Sequence, residues 1–209
     1  VSELMSLSDT ACYAAKEAGR NRIHIFADDD KELKKRQGEM QWVSRINKAI
    51  EENAFVIHRQ DIVPILDSDE SSKDHFEVLI RMYDESGNLV PPGAFLPAAE
   101  RYNIISSVDQ WVVTSLFRWL HDTESNTSEN LLCSINLSGA TLGSTHFIDF
   151  LDNAFETYNV SPSCICFEIT ETAAIANLTL VSNFISTLRD RGCKFALDDF
   201  GSGLSSYAY

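Results

Sequence analysis

The feature that most constrains this chain is a set of three nearly unbroken apolar runs in its second half, at 131–137, 164–169 and 193–197. The stretches between them carry apolar residues at helical spacing, as in Val181, Phe184, Ile185 and Leu188. A strand that is apolar along its length must be covered on both faces. Its parallel neighbour is reached by a crossover, and the intervening helices supply both. Two architectures satisfy this pattern, an open doubly wound sheet and a (β/α) barrel. No Gly-rich phosphate loop follows any of the strands, which weighs against a nucleotide-binding open sheet.

The first half reads in the same way. An amphipathic helix over 8–18 stops at Gly19, the usual left-handed terminator. Ile23, Ile25 and Phe26 mark a short strand, and the charge run DDDKELKKRQG at 28–38 is a linker or a solvated helix. A second unit begins near Glu39, with Trp42, Val43, Ile46, Ala49 and Ile50 on one helical face. A strand runs from Phe55 towards Val63, a turn or hairpin loop occupies 67–74, and a strand follows at 76–82. His58 sits in an apolar strand and reads as structural. After the turn signals Gly87-Asn88 and Pro91-Pro92-Gly93, helices fit 94–102 and 106–121. A polar loop at 122–130 precedes the strand run, a helix fits 146–158, and Gly192 stops the helix that passes through Arg191.

Charge narrows the ligand class. The net charge is −14, and residues 1–38 contain seven acids and seven bases, so the whole excess lies in 39–209. Such a surface repels a nucleic-acid polymer, whose binding rests on Lys and Arg contacts to phosphate. A small phosphate ester would need a divalent cation held by carboxylates to bring it in. The five cysteines, Cys12, Cys133, Cys164, Cys166 and Cys193, fit no zinc spacing and read as buried free thiols of a reducing compartment. No apolar run reaches the length of a membrane span. Val1-Ser2-Glu3 has neither the basic nor the apolar region of a signal peptide, and further sequence is expected before it.

The polar residues of the strands fall at related places. Glu77 lies within its strand, with Arg81 two same-face steps further on. Asn136 ends the 131 run, Glu168 stands near the end of the 164 run, and Asp198 and Asp199 end the 193 run. In a parallel barrel the carboxyl ends of the strands form one rim, where active sites sit. Four strands then deliver oxygen ligands to one mouth, suited to a hard cation. Adjacent Asp198 and Asp199 would point to opposite faces of a strand, but both can turn inward where strand becomes loop, and one could bridge two metals. An acid at a strand end also serves as a helix cap or ion-pair partner, and Glu171 reads equally as a first-turn residue or a catalytic one.

These residues lie in motifs. Phe76-Glu77-Val78-Leu79-Ile80-Arg81 resembles the signature of the EAL family of cyclic di-GMP phosphodiesterases. The stretches Pro92 to Glu100, Ser134-Ile135-Asn136-Leu137-Ser138, Phe167-Glu168-Ile169-Thr170-Glu171-Thr172, and Ala196 to Ser206 resemble the later motifs of that family in order. Ser8 to Lys16 with Gly19-Arg20-Asn21-Arg22 resembles the closing helix and strand of a GGDEF, or diguanylate cyclase-like, domain. The resemblance implies an α/β fold of TIM-like (β/α) barrel type, incomplete at its C-terminus, after a short α/β remnant of a preceding domain. It places the GGDEF-like end at 1–27, a charged linker at 28–38 and the phosphodiesterase barrel at 39–209.

It also implies metal-dependent hydrolysis of cyclic di-GMP to linear pGpG, with Mg²⁺ or Mn²⁺ in a two-metal site. The metal ligands would be Glu77, Asn136, Glu168, Asp198 and Asp199, with Glu77, Asp198 and Asp199 catalytic, and Gln60, Leu79 and Arg81 binding substrate. Asp61 stands where the family has proline after this glutamine, and Val78 replaces the usual alanine. The alternative is an inactive EAL domain acting as a cyclic di-GMP receptor or protein-binding scaffold. A different metal-dependent barrel hydrolase is a further rival, which the ordered motifs disfavour. Expected partners are cyclic di-GMP, a second copy through the EAL domain, and GGDEF and sensory domains in cis, with no DNA or RNA polymer. The expected location is cytoplasmic, with tethering to the inner membrane by segments outside these residues. The family's later lysine, loop glutamates and closing glutamine have no counterpart before Tyr209, so residues 1–209 alone are expected to be inactive and prone to associate.

Overall fold

The computed structural model describes residues 31–65, 74–123, 131–176 and 178–199, with Ser8 and Ile23; for 31–40 it describes the backbone alone. The expected helix over 8–18, the short strand after it, most of the 67–74 turn, the polar loop after 123 and the motif residues from Phe200 onward lie outside these residues.

Among the described residues the first elements are helix α1 (Lys31–Glu51) and an antiparallel pair, β1 (Phe55–Ile62) and β2 (Asp74–Tyr83), followed by the two-residue β3 (Leu89–Val90). Helices α2 (Pro92–Arg101) and α3 (Ile105–Asp122) lead to β4 (Leu131–Asn136), then α4 (Thr145–Tyr158) and β5 (Ile165–Thr170). The short α5 (Glu171–Ala176) and α6 (Leu178–Asp190) precede β6 (Lys194–Asp198). The strand order is β1-β2-β4-β5-β6, with β2, β4, β5 and β6 mutually parallel and β3 paired to the end of β2. This is the sheet of a TIM-like barrel.

Of the two readings of the charge run, a linker or a helix, the structure has a helix. Residues 31–38 are helical and continuous with the following turns of α1. The segment is rich in Lys, Glu, Leu, Arg and Gln, all good helix formers, and its single interior glycine costs only about 1 kcal/mol.

Four of the described helices, α1, α2, α4 and α6, end by one device. Asn53, Asn103, Asn159 and Gly192 all have positive φ, and the residue after each donates its N–H five residues back: Ala54 to Ala49, Ile104 to Ala99, Val160 to Phe155, Cys193 to Leu188. These left-handed caps satisfy the last carbonyls and turn the chain sharply back towards the sheet. Gly192 is the terminator that the sequence indicates, and Asn serves at the other three because it tolerates this backbone.

The core lies on one face of the sheet. Phe76, Val78, Ile80 and Met82 of β2, Cys133 and Ile135 of β4, and Ile165, Phe167 and Ile169 of β5 are buried with the apolar stripes of α2, α3, α4 and α6. Val78 therefore joins the core, as alternation against Glu77 requires. The opposite face carries the polar residues. No helix among the described residues is long and apolar enough to cross a membrane.

Candidate active site at the strand ends

Alternation places Glu77, Leu79 and Arg81 on the face of β2 that does not enter the core, with Ser134 and Asn136 of β4, Glu168 and Thr170 of β5, and Lys194 and Asp198 of β6. The pairing register relates them in space. Glu77 is opposite Ser134, so Asn136 lies two residues further along its strand; Asn136 is opposite Glu168; Glu168 is opposite Ala196, so Asp198 lies two residues beyond. From Glu77 to Asp198 the set climbs four residues across three strand steps. A (β/α) barrel of eight strands and shear eight advances about one residue per strand, because its strands tilt about 36° from the axis. The diagonal therefore lies close to a single level of the barrel axis.

Two of the expected ligands touch. Asn136 Nδ2 donates to Glu77 Oε1 at 2.6 Å. Leu137 N–H donates to the Glu168 carbonyl at 2.9 Å, tying the end of β4 to β5 at the next member of the set. Gln60 is the direct cross-strand partner of Glu77, so it stands on the same face, and His58 is opposite Leu79. His58 is exposed on the site face, which corrects its reading as a structural histidine: it alternates with Phe55 and Ile57, whose side chains turn towards the core. Arg81 Nη1 donates to its neighbouring Ile80 carbonyl at 2.8 Å, and Arg81 lines a cavity of about 280 Å³ with Leu79, Glu100, Asp109, Asn136 and Thr170.

At the strand exit of β6, Asp199 takes a left-handed φ of 54° and its N–H donates to Asp198 Oδ1 at 2.8 Å. The extended backbone thus breaks between the two aspartates. Glu171, left open between two roles, is buried at the first turn of α5.

Beneath the diagonal runs a polar layer that motif reading does not reveal. His75 Nε2 and Ser134 Oγ are 2.9 Å apart, and Ser134 is opposite Cys166 in the pairing of β4 with β5. Ser134 is fully buried. Burial pushes the Cys166 thiol up, and the nearby Glu168 charge adds to the effect. A second feature absent from the sequence reading is Asp109 of α3, whose buried carboxylate accepts bonds from Ser138 and Thr141. Burial pushes this carboxyl above its ordinary value, while the bonds from Thr141 and Ser138 oppose the shift. The signal for it was an acid inside the apolar stripe of Ile105, Val108, Val112 and Leu116.

The donors fit a hard cation in kind: Glu77, Asn136, Glu168 and Asp198 offer only oxygen to a metal. Their arrangement is a row along the diagonal. Among the described residues no three His, Cys, Asp or Glu close into a metal-holding group.

The chain as a whole is similar to known proteins. The chain is 40% identical over 207 residues to the cyclic di-GMP phosphodiesterase PdeB of Shewanella oneidensis, covering 99% of this chain and 24% of that protein. It is 31% identical over 206 residues to the biofilm architecture maintenance protein MbaA of Vibrio cholerae, covering 99% of this chain and 25% of that protein. The chain thus spans about a quarter of the length of these curated relatives. The structure is similar to the FimX EAL domain of Pseudomonas aeruginosa bound to c-di-GMP, with TM-score 0.71 and 25% identity over 80% of this chain and 65% of that one. It is also similar to the PaMucR phosphodiesterase in complex with c-di-GMP, with TM-score 0.70 and 26% identity over 79% of this chain and 66% of that one. Because the EAL domain family model matches residues 43–209, which contain every element from the later turns of α1 to β6, the chain belongs to the EAL domain family.

Proposed function

We propose that the protein hydrolyses cyclic di-GMP to linear pGpG with Mg²⁺ or Mn²⁺, and that Glu77, Asn136, Glu168 and Asp198 hold the ion while Asp199 serves a second one. The observation that carries the reading is the contact between Asn136 and Glu77 at 2.6 Å, with Glu168 next to Asn136 in register. The phosphodiesterase names of several relatives and the c-di-GMP complexes of structural neighbours support it.

When bound, the ions polarise the phosphodiester and lower the pKa of attacking water. The chain's own residues have distinct parts in this reading. The bond from Asn136 to Glu77 fixes the two side chains against each other, so neither has to be ordered when an ion arrives. Arg81 takes a substrate phosphate, and Gln60 and Leu79 flank Glu77 on the substrate side. His75 and the fully buried Ser134, 2.9 Å apart, stand one same-face step before Glu77 and Asn136 on their strands and support them from that side. The acidic charge of the segment makes the cation the first requirement for a dianionic ligand.

In the same proposal residues 1–27 are the end of a GGDEF-like domain, GGDEF and sensory domains act in cis, and the EAL domain pairs with a second copy in the cytoplasm. The test is Glu77→Ala in the full-length protein, with pGpG formation followed chromatographically at saturating Mg²⁺. The expected loss exceeds the roughly 100-fold that removing a supporting residue of a metal site costs. Wild-type turnover in the variant would refute the ligand role of Glu77. An unaltered protein that binds cyclic di-GMP and never cleaves it would establish the receptor reading instead.

A further inference from the structure

Asp109 is 6% exposed, on a stripe of α3 that is otherwise built of Ile105, Val108, Val112, Val113 and Leu116. Taking a carboxylate out of water costs several kcal/mol unless strong hydrogen bonds replace the solvent. Here one oxygen receives three: Oδ2 accepts from Thr141 Oγ1 at 2.6 Å, Ser138 Oγ at 2.7 Å and Ser138 N–H at 3.1 Å. Thr141 and Ser138 hydroxyls stand 3.0 Å apart with both protons turned to the carboxylate, and Ser106 Oγ, 3.0 Å from Thr141 Oγ1, can donate to it, which ties Thr141 to the first turn of α3 as well.

All of these bonds converge on one short segment. Ser138 is two residues after Asn136, at the point where β4 leaves the sheet. The residue between them, Leu137, is tied on its other side to the Glu168 carbonyl. The exit of β4 is therefore clamped from two directions, by β5 within the sheet and by Asp109 from the helix layer. Without the second clamp, Asn136 would be the last residue of a strand with one-sided support, free to swing its amide off Glu77. Asp109 also lines the same cavity as Arg81, Asn136 and Thr170.

We infer that Asp109 is a positioning residue for the site: through Ser138 and Thr141 it fixes the exit of β4 and so holds the Asn136 amide against Glu77. The inference rests on the reading of Asn136 as a site residue, and the experiment separates the two. Asp109→Ala, Asp109→Asn, Ser138→Ala, Asn136→Ala and the double variant Asp109→Ala/Asn136→Ala are made in the full-length protein. Mn²⁺ affinity is measured by electron paramagnetic resonance, alongside kcat, KM and the unfolding midpoint.

Asp109→Ala is expected to weaken Mn²⁺ binding by about tenfold or more, as for other groups that orient a metal ligand. Asp109→Asn retains an acceptor oxygen and is expected to recover most of that loss. Asp109→Ala should change nothing further in the Asn136→Ala background, because the two act through one side chain. If Asp109→Ala does not fold, Ser138→Ala removes one of the three bonds and reports the same effect at smaller size, with faster amide exchange at residues 136–138. Full Mn²⁺ affinity and kcat in the presence of a lowered unfolding midpoint would make Asp109 a stability residue and overturn the inference. An Asn136→Ala variant with unaltered Mn²⁺ affinity and turnover would instead overturn the reading of Asn136 on which it depends.

Discussion

Replacing Phe195 by alanine should loosen β6 alone, and with it Asp198. Phe195 is the one residue of β6 that is even partly buried; Lys194, Ala196, Leu197 and Asp198 are exposed. Its ring lies 5.7 Å from that of Phe167 in β5 and 6.3 Å from that of Phe184 in α6, nearly perpendicular to the latter. Phe184 in turn meets Phe147 of α4 at 6.4 Å, so one side chain links β6 to a continuous aromatic row. Each such ring pair contributes about 0.5–1.5 kcal/mol beyond its buried area. A fully buried Phe→Ala change costs about 3–5 kcal/mol, and partial exposure reduces that. About 2 kcal/mol is therefore the expected loss of β6 docking, equivalent to a roughly 30-fold increase in local opening. Hydrogen exchange on the full-length protein, read by peptide mass spectrometry, should show this increase in the peptide containing β6, with β2 and β4 unchanged. Mn²⁺ affinity should fall in parallel, because Asp198 rides on that strand. Unchanged β6 exchange accompanied by a uniform drop in global stability would refute the argument, since the strand would then be held by something other than this ring.

Burial pushes the Cys193 thiol up to about 12, raises Cys133 further and also raises Cys166. The unfolded chain sheds these protons first, so stability is constant below a thiol's ordinary value of 9.0 and falls above it, by about 1.4 kcal/mol per pH unit per thiol; denaturant midpoints at pH 8 and pH 10 check this. In the folded protein at pH 8, peptide mapping after brief iodoacetamide treatment should leave Cys133, Cys164, Cys166 and Cys193 unmodified. Gly192→Ala should cost about 1–2 kcal/mol in a denaturation assay. Gly192 has a φ of 107°, and an added Cβ would meet nothing closer than 3.9 Å, so the cost is backbone strain and not crowding. Gly192→Asn should cost less, as asparagine already occupies the same cap at 53, 103 and 159.

The sequence made the strands and most helices legible because their apolar periods are local facts. The runs at 131, 164 and 193 each became a strand, displaced by at most one residue. Motif order identified Glu77, Asn136, Glu168 and Asp198 as a set. Their relation in space was not legible, since it depends on pairing offsets between strands far apart in the chain, and no residue type encodes an offset. The register of the β1–β2 pair escaped for the same reason, and with it the pairing of Gln60 to Glu77. His58 was readable in principle: apolar Phe55 and Ile57 alternate with His58 and Gln60, and the run was taken as apolar throughout. Asp109 lay outside every motif, and an acid on a buried helical stripe gains meaning only once its hydroxyl partners are brought to it by the turn after β4.

The left-handed backbone at Asp199 bears on how this domain can change over generations. Aspartate codons are one base from those of asparagine and glycine, the two residues that share its tolerance for a φ of 54°. Most other replacements there would strain the turn and be removed as folding defects. These two would keep the left-handed backbone of the turn and remove the carboxylate. A single nucleotide change thus separates a hydrolase of the proposed kind from a well-folded protein that retains the pocket and has lost the reaction, so descent from enzyme to receptor needs no intermediate of impaired stability.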